Sequence, residues 1–468
     1  MADPIDGEAW RRLLGGIEWP PATSTPLRTA AARLIREHCE PFEAIRDADV
    51  GSLLERVGDS RVVLLGEATH GTSEFYRMRA HITRALIERK GFSVVAVEGD
   101  WPDAALVDGW VRHDRPPVGR VPFGRFPAWM WRNREVLSFV QWLHDHNGGV
   151  DDGARVGFYG LDLYSLFSSI DVVVGYLERV DPEAARLARA RYGCLSPWQE
   201  TLSEYAYAAH IGTIAGCEDE IVATLRDLLE HRASMQGAHG DDDEAFFDAV
   251  MNARLVTNAE AYYRSMVRGR ADSWNLRDTH MVDTLEMIVT LLRPGTKAVV
   301  WAHNSHVGDA SQTEMGRRGE VNVGQLARER FAGAAWNVGF GTDHGTVAAA
   351  SDWDGPEERK AVVPSRQDSY ERVCHDTGVP AFLLHLRDAN ASLVGELVVE
   401  RLERAIGVIY RPETERFSHY FAACLPRQFD SYVWFDESQA VHPLESPAAL
   451  IGRPAAHVEL PDTFPSGL

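Results

Sequence analysis

Cysteine is sparse in this chain: five in 468 residues, at Cys39, Cys194, Cys217, Cys374 and Cys424. The number is odd and no CxxC pair occurs, which argues against a disulfide framework and against a structural zinc site. Positive charge is also short. Lys and Arg total 48 against 69 Asp and Glu, a net charge of −21. Such a chain repels phosphate backbones and anionic lipid, so nucleic acid and membrane surfaces are poor partners and a small-molecule substrate is the natural one. No window approaches the ~18 unbroken apolar residues of a membrane span. The start, MADPIDGEAW, lacks the basic-then-apolar pattern of a secretory signal, so a cytoplasmic protein is expected. Several catalytic signatures are missing too. Without GxSxG there is no nucleophile-elbow serine. Without GxGxxG, GxxxxGK[ST] or HExxH, dinucleotide, P-loop and zincin readings fall away.

What the chain does have is a recurring event. A short β-rich apolar run stops in polar residues, and a helical pattern follows. Val62–Gly66 stops at Glu67, Val94–Val97 at Glu98-Gly99-Asp100, "RVGFYGLDLY" at Asp162, "KAVVWAHNSHVGD" at His303, Asn304 and His306, and "AAWNVGFGTDHG" at Thr342, Asp343 and His344. Runs without alternation predict strands buried on both faces, hence an α/β fold with a mostly parallel central sheet flanked by helices. From 181 to 293 the rhythm breaks into Ala-, Arg-, Leu- and Glu-rich sequence, read as a large helical insertion that "RPG" terminates. The expected division is 1–180 and 294–468 as the two halves of the α/β core, with 181–293 between them. A short helix and a Pro/Ser/Thr hinge are expected before residue 27, a helix over Leu27–Ile45, and late strands at "AIGVIYRP" and "YVWFDE".

Ligands bind at the carboxyl ends of strands in open α/β sheets. Every polar stop lies at such an end, so Glu67, His70, Glu98, His303 and His306 are expected on one rim. In "RVVLLGEATHG" a carboxylate three residues before an imidazole can hold one ring nitrogen and leave the other as a base. Gly66 and Gly71 leave room for a tight turn or a close approach. Arg79, within "SEFYRMRAHITRALIERK", is a candidate cation for a carboxylate or an oxyanion. Glu98 needs a partner if buried, with Arg79 or His70 the first choices. Two histidines plus two glutamates keep a zinc- or iron-type site open as an alternative. Asn304 and Trp131, the latter in the aromatic stretch "RFPAWMWRNREV", are candidate substrate contacts.

Together, "LLGEATHGTSEFYRMR", "VAVEGDWPDA", "FPAWMWRNREV", "NLRDTHM", "VVWAHNSHVGD" and "ERFSHYF" resemble the erythromycin esterase family, also known as succinoglycan-biosynthesis-type proteins. The resemblance spans about residues 30–445. It implies an α/β core with helices folding over a deep cleft. It also implies esterase-type hydrolysis without a metal or other cofactor, in the family's antibiotic-resistance members of a macrolide lactone. By motif, the resemblance assigns the water-activating histidine to His70 and its glutamate to Glu67. It makes Arg79 the arginine, Glu98 the second-strand glutamate, His303 or His306 the late histidine, and Arg277 of "NLRD" a further site residue. The alternatives are a metal-dependent hydrolase built on the same His/Glu cluster, and a carbohydrate-related modifying or binding protein.

Overall fold

The unalternating apolar runs become the middle of a nine-stranded sheet in the computed structural model, which describes residues 25–117, 121–199, 201–214, 216–234, 241–267 and 269–444. The strands are β1 (Glu40–Pro41), β2 (Val62–Leu65), β3 (Phe92–Asp100), β4 (Gly157–Asp162), β5 (Lys297–Trp301), β6 (Ala335–Ala349), β7 (Glu358–Val362), β8 (Ala381–His385), β9 (Arg401–Arg404), β10 (Tyr420–Ala423) and β11 (Ser431–Ser438). The sheet order is β1-β8-β11-β6-β2-β5-β3-β4, with β7 on β6, while β9 and β10 pair apart. The run from β11 to β4 is parallel throughout; β1, β7 and β8 join antiparallel. In register, Leu64 lies between Val300 of β5 and Asn337 of β6.

Both faces of these strands are buried, which is why their sequences do not alternate. Val62, Leu64, Val94, Ala96, Ala298 and Val300 enter one core. Val63, Leu65, Val95, Val97, Val299 and Trp301 enter the other. At ~1.5–3 kcal/mol for each large apolar side chain, this two-sided burial fixes the register, because a one-residue slip would exchange the two cores. The first face is covered by the helices between β4 and β5, including Leu166–Val180, Asp241–Met266 and Arg270–Met287. The second is covered by Ser73–Lys90, Trp101–His113 and Arg134–Gly148. The chain runs from β2 outward to β3 and β4. It then returns to fill the slot beside β2 with β5, and crosses to β2's other side with β6. β2 therefore stands at the switch point of the sheet, where a ligand crevice opens.

Several expectations change. β6 does not stop at Thr342-Asp343-His344 but continues to Ala349, because β11 stays beside it as far as Gly345 and β7 pairs with the rest. "AIGVIYRP" forms no strand: Ile406 and Ile409 make single bridges to Thr69 and Ala350. "YVWFDE" lies within β11, as read. The helix expected over Leu27–Ile45 is Thr25–His38, and Glu40–Pro41 then pairs with β8. The expected helix and most of the hinge before it lie outside the described residues. The helical stretch begins at Leu166, and its last helix ends in a π-helical turn, Ile288–Leu292, before Pro294-Gly295. Cys194 and Cys217 form a disulfide, brought within 6.0 Å between Cα atoms by helix packing that their 23-residue spacing does not reveal; Cys39, Cys374 and Cys424 are free. Gly71 is needed for a close approach: a Cβ there would lie 1.9 Å from the Ala348 carbonyl oxygen. That contact lets the Gly71 carbonyl accept the amides of Ala348 and Val441, fixing the turn that carries His70.

Candidate active site

The end of β2 is built around a buried carboxylate. His70 donates from Nδ1 to Glu67 Oε1 at 2.9 Å, and Arg79 Nη2 lies 2.7 Å from Glu67 Oε2. Arg79 has no exposed surface; its guanidinium packs over Tyr76 at 4.3 Å and Trp301 at 5.0 Å. Arg79 therefore compensates Glu67 and does not reach the cavity as an oxyanion donor. Tyr76 donates to the His70 carbonyl at 2.8 Å and holds the turn. With Nδ1–H given to Glu67, His70 presents Nε2 as an acceptor, and the residue lines a cavity.

The end of β3 supplies Glu98, also buried. Its Oε2 accepts the His303 backbone N–H at 2.8 Å, and its Oε1 accepts from Arg277 Nη2 at 2.9 Å and lies 3.3 Å from His306 Nε2. Its partners are thus Arg277 and His306 rather than Arg79 or a direct bond to His70. Burial opposes its charge, but His306, His70 and Arg277 outweigh it and hold the carboxyl well below its usual range.

The two histidines of "HNSH" differ sharply. His303 caps the short helix Asn304–Val307: its Nδ1 accepts the Ser305 amide at 3.2 Å, with Ser305 Oγ at 2.8 Å. An accepting Nδ1 places the ring proton on Nε2. Burial, then the neighbouring His70, push the His303 pKa well below 6.5, so the ring is neutral. Its buried Nε2 makes no well-formed hydrogen bond among the described residues, although a backbone contact with Ala68 favours its proton, and its ring centre lies 4.8 Å from that of His70. His306 instead stacks on Trp274 at 4.5 Å and donates from Nδ1 to Asp278 at 2.8 Å. Burial disfavours its cation, yet Asp278 and Glu98 outweigh burial and Arg277, raising its pKa to about 9.

Arg277 ties the rim together. It donates from Nε and Nη2 to Asp162 at 2.9 and 2.6 Å and bridges to Glu98 through the same Nη2. Asp162 was visible in sequence as the polar stop of β4. Asp278 and Trp274 were missed; their only signal was adjacency to Arg277 in "WNLRD", on a helix far from any strand end. Trp131 lines the cavity beside Phe126, Trp353 and Met130, and donates from Nε1 to the Glu98 carbonyl at 3.0 Å. Asn304 does not face it. Its amide donates to the Phe340 carbonyl at 2.7 Å and to Glu403 at 3.1 Å, so it fastens β5 to β6 instead of contacting a substrate.

These charges set a pH window for stability. His306 is raised above its unfolded value, so its contribution is complete below about pH 6.5 and lost as pH rises through about 9. Glu98 is depressed, so its contribution is present above the ordinary carboxylate range and lost as pH falls through its lowered pKa. Burial holds Asp278 above its ordinary value despite His306, so ionising it costs stability and offsets part of the pair's net gain without causing the alkaline decline. The unfolding free energy from urea titration is expected to fall by on the order of 2 kcal/mol between pH 7 and 10, and His306→Gln is expected to flatten the decline. An equal decline in that variant would sink the assignment.

The erythromycin esterase family model matches residues 87–438. The chain belongs to the erythromycin esterase family. Membership places it, at family level, among hydrolases. The matched span contains Glu98, Asp162, Arg277, His303 and His306, while Glu67, His70 and Arg79 lie just before it. "Putative hydrolase YbfO" of Bacillus subtilis (strain 168) is 20% identical over 427 residues, covering 86% of this chain and 90% of that protein. Erythromycin esterase type II of Escherichia coli is 27% identical over 143 residues, 30% of this chain and 33% of that protein. Among solved structures, a succinoglycan biosynthesis protein superposes with a TM-score of 0.73 at 19% identity, over 90% of this chain and 100% of that one. A mutant of erythromycin esterase EreC in its open conformation gives 0.64 at 16%, over 87% and 99%. These likenesses show a shared fold. No described helix is long and apolar enough to cross a membrane.

Proposed function

We propose that the family member described here is a carboxylic-ester hydrolase that uses His70 to activate water and needs no metal. The observation that carries this reading is the pairing of two complementary imidazoles. Glu67 holds Nδ1–H of His70 and leaves its Nε2 to accept, while the Ser305 cap leaves a partnerless N–H on His303 beside it. His70 Nε2 takes a proton from water as the oxygen attacks the ester carbonyl carbon. His303 Nε2–H donates to the resulting oxyanion, a role that a neutral ring performs without adding charge. Glu67 stabilises the His70 imidazolium, and Arg79 keeps Glu67 compensated. His70 then returns the proton to the departing alkoxide, giving acid and alcohol. Arg277, Asp162 and Glu98 hold the rim in place, and Glu98 fixes the His303 backbone.

Trp131, Phe126 and Trp353 give the cavity an apolar wall suited to a bulky acyl or lactone substrate. A macrolide lactone, which the names of the erythromycin esterase relatives suggest, is the first substrate to assay, alongside p-nitrophenyl esters of increasing chain length. Turnover that survives dialysis against a chelator is the expected result. Turnover abolished by the chelator and restored by zinc, iron or manganese would replace this reading with metal-dependent hydrolysis. A sugar ligand that binds for hours unchanged, with no ester cleaved, would replace it with binding alone.

A further inference from the structure

The pair Asp343-His344 within β6, which the proposed hydrolysis does not use, converges with a histidine from a distant helix. His375 ends the helix Tyr370–His375, and its Nδ1 lies 3.5 Å from Asp343 Oδ2. His344 Nδ1 lies 2.9 Å from the same oxygen. One ligand atom from each of the three residues falls within 4.8 Å of the others. Asp436, on β11 beside β6, adds an oxygen 2.8 Å from His375 Nδ1.

We propose that Asp343, His344 and His375 form a site for a divalent transition metal of the zinc class, on the opposite flank of β6 from its pairing with β2, with Asp436 or water completing it. Four ligands held ~2.0–2.2 Å from a tetrahedral ion stand ~3.3–3.5 Å apart. The separations of 2.9, 3.5 and 2.8 Å approach that edge length, and the ligand atoms of Asp343, His344 and His375 all lie within 4.8 Å of one another. Both histidines offer the same ring nitrogen, and imidazole with carboxylate is a donor set suited to zinc. Two carboxylates and two neutral imidazoles balance a 2+ charge. Asp343 is almost fully buried and anchored through Oδ1 by the Ser365 amide and hydroxyl, which fixes its other oxygen toward the histidines. His344, His375 and Asp436 are partly exposed, at 38%, 32% and 28% of their side chains, leaving a path for an ion. The site would clip β6, β11 and the helix Tyr370–His375 together.

The second convergent group, Asp108, His113 and Glu244, is the natural control. Arg112 sits on both of its carboxylates and would have to leave before an ion entered.

Titrating the chelator-stripped protein with Zn²⁺ at pH 7.5 in a calorimeter, and with Co²⁺ by visible absorption, tests the proposal. Stoichiometric Zn²⁺ binding, a Co²⁺ d–d band of low symmetry and a raised melting temperature are expected. His375→Gln and Asp343→Asn should each weaken binding by at least ~100-fold, since even partners behind the ligands are worth 10–100-fold. His113→Ala should leave it unchanged. The far-ultraviolet circular dichroism of each variant checks that it is folded. The absence of stoichiometric binding overturns the proposal. So does binding that survives both His375→Gln and Asp343→Asn, or that is lost in His113→Ala.

Discussion

Replacing His70 by alanine is expected to lower kcat for ester hydrolysis by ~10²–10⁴-fold, the usual worth of a positioned general base. The protein should stay folded. Glu67 retains its ion pair with Arg79, and the turn is held by the His70 carbonyl, which accepts from Tyr76, and by Gly71, neither of which depends on the imidazole. KM should change little, because the base acts on water rather than on substrate. His303→Ala is expected to cost ~10²–10³-fold, the scale of one oxyanion donor. The combined variant should fall well short of the product of the two losses, because both groups serve one transition state. A His70→Ala enzyme that keeps its full kcat would show that another group activates the water.

The largest stability loss is expected from Arg277→Met. The guanidinium lies between two buried carboxylates, Asp162 and Glu98, and Asp278 follows it in the chain. Burial lowers the tendency of Arg277 to stay charged, but Asp162, Tyr164 and Glu98 more than reverse this, holding its pKa well above the ordinary value. Removing one partner of a buried ion pair costs ~3–5 kcal/mol because the charge left behind has no water to return to. The urea midpoint should drop accordingly, and the acid side of the stability profile should move upward as Glu98 loses a cation that depresses its pKa. Arg277→Lys keeps the charge but not the fork that meets Asp162 through two nitrogens, so an intermediate loss is expected. A loss of unfolding free energy below ~1 kcal/mol for Arg277→Met would mean that the carboxylates reach water or share a proton, and the rim is not the closed network described above.

The sheet was legible in the sequence because strands buried on both faces cannot alternate. "VVLL" and "KAVVW" announce this before any partner is known, and their polar ends name the residues that a parallel sheet delivers to one rim. Glu67 and His70 were readable for the same reason, with the holding bond between them set by a three-residue spacing. The resemblance carried by "GEATHG", "VAVEGDW" and "HNSH" pointed to the family that the matched span later showed.

Other features depended on distance in the chain. Asp343-His344 read as a strand end, yet β6 runs through it, because whether a strand stops depends on the strands beside it and not on its own polarity. Asp278 and Trp274 gave no signal beyond their adjacency to Arg277, since their partner His306 lies on a different element. The roles of His303 and His306, three residues apart in one short helix, were not separable by sequence. His303 caps that helix and is left neutral with a free N–H. His306 meets Asp278 and Glu98, which raise its pKa against burial and Arg277. The sequence by itself determined which chemical groups reach the rim. The tertiary structure alone decided the proton each one carries, because in a buried site that is set by the neighbours that fold against it.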